Sequence, residues 1–110
     1  MKWSICYPYT RVNVRVYVPK SRGIYRLLIK NRIFYIGQSK NLQNRLVEHF
    51  SVREGNQRLK KYLQNYFCFF RFCELHPTED LLQIERDQIL KYNPPCNVAF
   101  HPPIVGRWRE

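Results

Sequence analysis

Two β-rich runs, residues 23–30 (GIYRLLIK) and 32–38 (RIFYIGQ), meet at a single asparagine, Asn31. No other feature restricts the fold as strongly. Ile, Tyr and Phe suit a pleated, half-buried surface, and a one-residue break leaves room only for a tight turn. The pattern predicts an antiparallel hairpin that turns at residues 30–32.

The flanking segments supply the rest of a small domain. Residues 12–18 (VNVRVYV) alternate strictly, with Val12, Val14, Val16 and Val18 in phase, and predict a half-buried strand stopped by Pro19. After Ser39 the period changes. Leu42, Leu46, His49 and Phe50 recur at helical spacing, with Ser39 or Asn41 available as N-cap. Arg53-Glu54-Gly55-Asn56 reads as a break. Leu59, Tyr62, Leu63 and Tyr66 then mark a second helix over residues 56–66. Residues 67–75 (FCFFRFCEL) are almost wholly apolar, as in a central buried strand, and His76-Pro77 ends it. Thr78 is a candidate N-cap, with Glu79 and Asp80 in the first turn of a helix that runs to about Tyr92. Pro94-Pro95 forbids its continuation.

The expected fold is therefore α/β (α+β): a small, mostly antiparallel three-stranded sheet flanked by helices, with an extra N-terminal strand. A chain of 110 residues fits one domain, and no second domain is expected. Residues 1–22 form an N-terminal extension, residues 23–97 the domain proper, and residues 98–110 an extended, proline-bearing tail.

Charge narrows the partner. The net charge is +11, and it is uneven. Residues 1–50 hold ten Lys and Arg against one acid, Glu48, while residues 51–110 hold nine against seven. A basic half-molecule favours a polyanion, because neutralising phosphates releases condensed counterions. A merely soluble basic protein is the bland alternative. The chain holds no apolar run long enough for a membrane helix and no apolar leader at its start, so a cytoplasmic protein is expected. Cys6, Cys68, Cys73 and Cys96 match no zinc-ligand spacing. Cys68 and Cys73 read as small apolar core residues.

Gly23-Ile24-Tyr25 and Tyr35-Ile36-Gly37 stand on consecutive predicted strands, with nine residues between the two tripeptides. Arg45 follows in the next helix, His49 one turn later, Glu85 in the last helix, and Asn97 just after Pro94-Pro95-Cys96. This series, over residues 19–97, resembles the GIY-YIG family of endonucleases. The resemblance implies a nuclease domain over residues 23–97, a phosphodiester hydrolysis reaction on DNA, and Mg²⁺ (or Mn²⁺) as cofactor. It implies a site built from Tyr25, Tyr35, Arg45, His49, Glu85 and Asn97, with the metal on Glu85. One departure stands out. Some relatives carry a lysine directly after the second tripeptide; here that residue is Gln38, with Lys40 two positions on.

The residues also carry chemistry of their own. Leu82, Glu85 and Ile89 share one helix face, and an acid on an apolar stripe is costly unless it is paired or binds a metal. One carboxylate with several waters is an ordinary Mg²⁺ arrangement. A hairpin at Asn31 brings Tyr25 and Tyr35 together across the strands. Either could be a core tyrosine. In the family, one tyrosine takes or orients a proton of the attacking water, and this reading favours Tyr25. A phenol needs a nearby cation or metal to act as a base. Arg45 and His49 lie at i, i+4 and can converge. Arg45 is the candidate phosphate clamp, with a solvated surface arginine as the alternative. His49 assists the base, binds a phosphate or is simply half-buried, and Asn97 orients the site or merely closes a turn. Arg22, Arg26, Lys30, Arg32 and Lys40 are the candidate DNA-backbone contacts, with Arg11, Arg15 and Lys20 further along the same basic half.

The rival reading keeps this fold without activity, as a nucleic-acid-binding module that cuts weakly or not at all; a protein-interaction domain is a third. A monomer that dimerises on DNA, or one that takes specificity from a partner protein, fits a lone module. The pattern is compatible with repair, restriction, mobile-element and phage roles alike.

Overall fold

The computed structural model describes residues 1–51 and 53–97. The tail expected over residues 98–110 lies outside them. The elements run β1 (Tyr7–Pro8), α1 (Arg11–Tyr17), β2 (Gly23–Ile29), β3 (Arg32–Ser39), α2 (Leu42–Glu48), α3 (Gln57–Asn65), β4 (Phe69–Glu74) and α4 (Leu81–Tyr92). Among the described residues the sheet has four strands in the order β1-β4-β2-β3, with antiparallel pairings. The hairpin, the two helices after it, the apolar strand and the last helix stand as the sequence pattern predicts. Each helix has a side-chain cap: Asn41, Asn56 and Asp80 accept from the backbone N–H three residues on. Asp80 takes the place expected for Thr78.

The N-terminal strand over residues 12–18 is corrected: this segment is helix α1. Thr10 caps it by accepting from Asn13 N at 3.1 Å. Val14 and Val18, at i, i+4, are buried in the core, while Val12 and Val16 are two-thirds exposed. The alternation satisfied a helix with two buried valines as well as a strand with four, and the cap and the core tipped the balance. The extra strand of the sheet is instead the two-residue β1, paired to Phe69 and Phe70 of β4. The first 22 residues are thus built into the domain, since Tyr9, Val14 and Val18 lie in its main core.

Strand alternation splits the sheet into two faces. Tyr25, Leu27 and Phe70 point to one, covered by Leu42 and Leu46 of α2, Leu59 of α3 and Val14 of α1. Ile24, Ile36 and Cys73 point to the other, under Leu81 and Ile89 of α4. Each of these aliphatic side chains contributes roughly 1.5–3 kcal/mol by leaving water. The outer edge of β3 is also covered. Residues 94–97 run along it, with Cys96 N donating to Phe34 O at 3.0 Å and Asn97 bonded to both backbone groups of Ile36.

Candidate active site

Tyr25 lies in β2 directly opposite Gly37 of β3. Its phenol occupies the space over that glycine: a Cβ at Gly37 would fall on the ring and its hydroxyl. Gly23 is restricted in the same way, since a Cβ there would meet the Cys73 carbonyl oxygen and a methyl of Leu42. The two glycines of the paired tripeptides therefore share one physical cause, close approach by a neighbour.

Tyr35 stands diagonally from Tyr25, opposite Leu27, with ring centroids 6.2 Å apart. A bulge places Tyr35 across from Leu27 and Ile33 across from Leu28, leaving Phe34 as the extra residue. Phe34 and Tyr35, consecutive in sequence, consequently both pack on the α2–α3 side of the sheet.

His49 caps the C-terminus of α2. The Tyr25 hydroxyl lies 2.6 Å from its Nε2, and its Nδ1 lies 2.7 Å from Glu54 Oε1. The protonation states follow from the surroundings. The His49 hydrogen bond, with a smaller contribution from Asn56 N, holds the Glu54 carboxyl down at about 2, so it is ionised. Burial lowers the His49 pKa and outweighs the attraction of Glu54, so the ring is neutral. A neutral imidazole that donates from Nδ1 offers only a lone pair at Nε2. Tyr25 must then be the donor to it. Burial raises the Tyr25 phenol well above its ordinary value of 10.0, which keeps that proton in place. The three side chains form one buried, fully bonded row.

Beside this row opens a cleft of about 500 Å³, lined by Tyr35, Arg45, Glu48, Ser51, Arg53 and Asn56 among others. Arg45 reaches it from the exposed side of α2, with Nη1 3.3 Å from Glu48 Oε1. Both partners are part-exposed, so this pair holds the guanidinium only weakly. Burial raises the Tyr35 phenol, and the Arg45 charge acts against that rise.

Glu85 sits on the core-facing side of α4 and is nearly buried. The stripe it belongs to is Leu81–Glu85–Ile89. Leu82, assigned to that face from the sequence, is largely exposed, and the stripe advances four residues per step instead of three. Burial alone pushes the Glu85 carboxyl up to about 7, and no basic side chain pairs with it among the described residues. Its charge is felt by both Tyr25 and Tyr35. Among the described residues no group of three or more His, Cys, Asp or Glu is gathered in metal-binding proximity. A lone, unpaired hard-oxygen donor suits Mg²⁺, which keeps several of its waters.

Asn97 closes the site from behind. Its Oδ1 accepts from Ile36 N at 2.8 Å and its Nδ2 donates to Ile36 O at 2.7 Å, fixing the middle of the second tripeptide. Asn97 is buried and its amide groups are satisfied there, a structural position away from the cleft lining.

The basic residues divide. Arg22 donates to the carbonyls of His76 and Glu79, at 2.5 and 3.2 Å. Arg26 is sandwiched by Trp3 and Tyr92, 3.8 and 4.9 Å from their ring centroids, and donates to Gln88 at 2.5 Å. Both are engaged within the fold. Lys30, Arg32 and Lys40 are exposed. Glu54 was not anticipated from the sequence, where its tetrapeptide read only as a break. The available signal was an acid placed between His49 and the helix-capping Asn56.

The fold and site define a compact catalytic α/β domain with a buried tyrosine–histidine–glutamate row, an arginine-lined cleft and one unpaired carboxylate. The chain belongs to the GIY-YIG family, a family of endonucleases: the sequence model for the GIY-YIG catalytic domain matches residues 21–97. It is similar to the UvrABC system protein C of Fusobacterium nucleatum, 30% identical over 89 residues, which cover 78% of this chain and 14% of that protein. The protein of the same name from Tropheryma whipplei is 34% identical over 87 residues, 78% of this chain and 14% of its own. This chain thus corresponds to a small part of these relatives. The fold matches the crystal structure of the GIY-YIG N-terminal endonuclease domain of UvrC from Thermotoga maritima bound to magnesium, with a TM-score of 0.65 and 22% identity, covering 79% of this chain and 93% of that one. Among the described residues no helix is long and apolar enough to cross a membrane.

Proposed function

We propose that this chain is a divalent-metal-dependent endonuclease that hydrolyses DNA phosphodiester bonds. The observation that carries the reading is Glu85: a nearly buried carboxylate with no basic partner, on the helix that packs against the strands bearing both tyrosines. Glu85 would hold Mg²⁺ or Mn²⁺, which when bound offsets charge on the phosphate oxygens. The fold neighbour from Thermotoga maritima is described as bound to magnesium, its catalytic divalent cation, which supports the assignment.

The remaining roles rest with side chains. Arg45, weakly held at the cleft, clamps the scissile phosphate and stabilises its developing charge. Tyr35 is the phenol that faces the cleft, beside Arg45; burial keeps its hydroxyl protonated, so it orients the attacking water by a hydrogen bond. Tyr25, favoured from the sequence for that task, is fully buried and donates to His49. Its role is to position: the Tyr25–His49–Glu54 row fixes the floor under Tyr35, whose ring centroid is 5.5 Å from that of His49. Lys30, Arg32 and Lys40 contact the DNA backbone.

Incubation of supercoiled plasmid and branched DNA with Mg²⁺ or Mn²⁺ tests the reading. The wild type cuts, and Glu85→Ala loses on the order of a hundredfold or more in rate. Tight DNA binding without cleavage in either metal would leave a binding module of the same fold. Equal cleavage by Glu85→Ala would remove the metal site from that residue.

A further inference from the structure

The hairpin builds a second cleft, of about 750 Å³, between its turn and the ends of α3 and α4. Its size is in the range of small-ligand sites. Its walls are aromatic. Tyr62 stacks on Phe34 with centroids 5.2 Å apart, and Tyr66 leans on Tyr62 at 5.4 Å. Tyr66 is 54% exposed and Tyr92, on the opposite lip, 39%. Its mouth is basic, since Lys30 and Arg32 stand exposed at the turn and no lining residue among the described ones is acidic. Asn31 and Asn93 add side-chain amides.

Two backbone features shape this opening. Lys30 has φ 54° and turns the hairpin; Asn93 has φ 47° and ends α4, leaving Tyr92 and itself on the lip. The position relative to the other cleft is fixed by the β3 bulge. Phe34 lines the hairpin cleft and Tyr35 the cleft of Arg45, so the two adjoin along one strand. Arg32 is three residues from Tyr35, about 10 Å at the usual strand rise.

Flat phenol faces, a cationic mouth and amide groups are the means by which proteins hold unpaired bases: bases stack, phosphates meet Lys and Arg, and amides bond to base edges. We infer that the hairpin cleft receives an unpaired nucleobase of the DNA strand, adjacent to the phosphate that is cut. The substrate class is then DNA with a single-stranded or splayed nucleotide at the cleavage point. This inference rests on the endonuclease reading and specifies its substrate.

The test uses the full chain and a duplex with a short single-stranded arm carrying 2-aminopurine at the junction, in EDTA so that no strand is cut. Binding of the wild type quenches the aminopurine. Tyr66→Ala, at an exposed position, weakens affinity for the junction about tenfold or more, and leaves affinity for the fully paired duplex within about twofold. Tyr66→Phe retains the wild-type behaviour, because the stacking face remains. Arg32→Ala weakens junction binding and lowers its salt dependence. Junction affinity of Tyr66→Ala equal to that of the wild type, or the same loss on both DNAs, overturns the inference. So does an unquenched aminopurine at saturating wild type, which would mean that protein or nothing fills the cleft. Plasmid cleavage separates the two readings. Intact cleavage with no effect of Tyr66→Ala removes the base site alone, whereas quenching that depends on Tyr66 without cleavage of any DNA removes the enzyme alone.

Discussion

Gly37 stands directly across the β2–β3 ladder from Tyr25, and the phenol of Tyr25 fills the space a side chain at Gly37 would need. The paired tripeptides are therefore one packing unit: the glycine of the second makes room for the tyrosine of the first. Gly37→Ala forces the ring off His49 or opens the strands. It should cost about 1–3 kcal/mol, as overpacking of a close-packed core does. Urea unfolding reads this as a lower midpoint at unchanged slope. An unchanged midpoint would mean that the ring has free space elsewhere.

The Tyr25–His49–Glu54 row makes stability depend on pH. Glu54 falls to about 2 from an ordinary 4.5 through its bond with His49, and His49 falls below 6.5 mainly through burial. Both folded-state values lie below the unfolded ones, so the unfolded chain binds more protons in acid. The contribution of this row to stability is complete above pH 6.5. It declines first as the unfolded histidine titrates, then as Glu54 titrates between about 4.5 and 2. Glu54→Gln should cost about 1–3 kcal/mol at pH 7 and flatten the loss below pH 4.5. Thermal melts from pH 8 to pH 3 check both. A steeper acid limb in the variant would contradict the assignment of charge.

Glu85 is destabilising where it stands, because its carboxylate is buried without a partner. Without metal at pH 8, Glu85→Gln should therefore melt higher than the wild type, by the equivalent of about 1–2 kcal/mol. Millimolar Mg²⁺ or Mn²⁺ should raise the melting temperature of the wild type and leave the variant unmoved, since a ligand stabilises only the fold that binds it. A metal-induced rise of equal size in both would place the cation elsewhere.

Helix α1 separates two valines that a strand would treat alike. Val14 is fully buried and Val16 is 65% exposed. Val14→Ala should cost about 1–3 kcal/mol through lost burial and a cavity. Val16→Ala should be neutral or stabilising by up to about 0.5 kcal/mol, because alanine is the better helix former. Equal losses in chemical denaturation would restore the strand.

The hairpin and the Asn41 N-cap of α2 are local features. They were readable because turn chemistry and capping act within a few residues, and the segment from Gly23 to Asn97 followed from them with only small shifts of boundary. The first valine run misled for the same reason: alternation is a local signal, and the contacts that chose helix, between Val14, Val18 and the α2 side of the sheet, are distant in sequence. Leu82 failed likewise, since a stripe advancing by three and one advancing by four differ only in which neighbour happens to pack above them.

The site shows where local reading stops. The order of Tyr25, Tyr35, Arg45, His49, Glu85 and Asn97 along the chain was enough to name the family and the candidate chemistry, because the pattern is carried by residue types at set positions in the sequence. Which tyrosine faces the cleft was not in that order. A bulge at Phe34 turns Tyr35 outward, burial locks Tyr25 onto His49, and Glu54 arrives from a loop that looked like a break. Those three outcomes depend on through-space packing and desolvation, which exist only once strands, helices and loops have closed around one another.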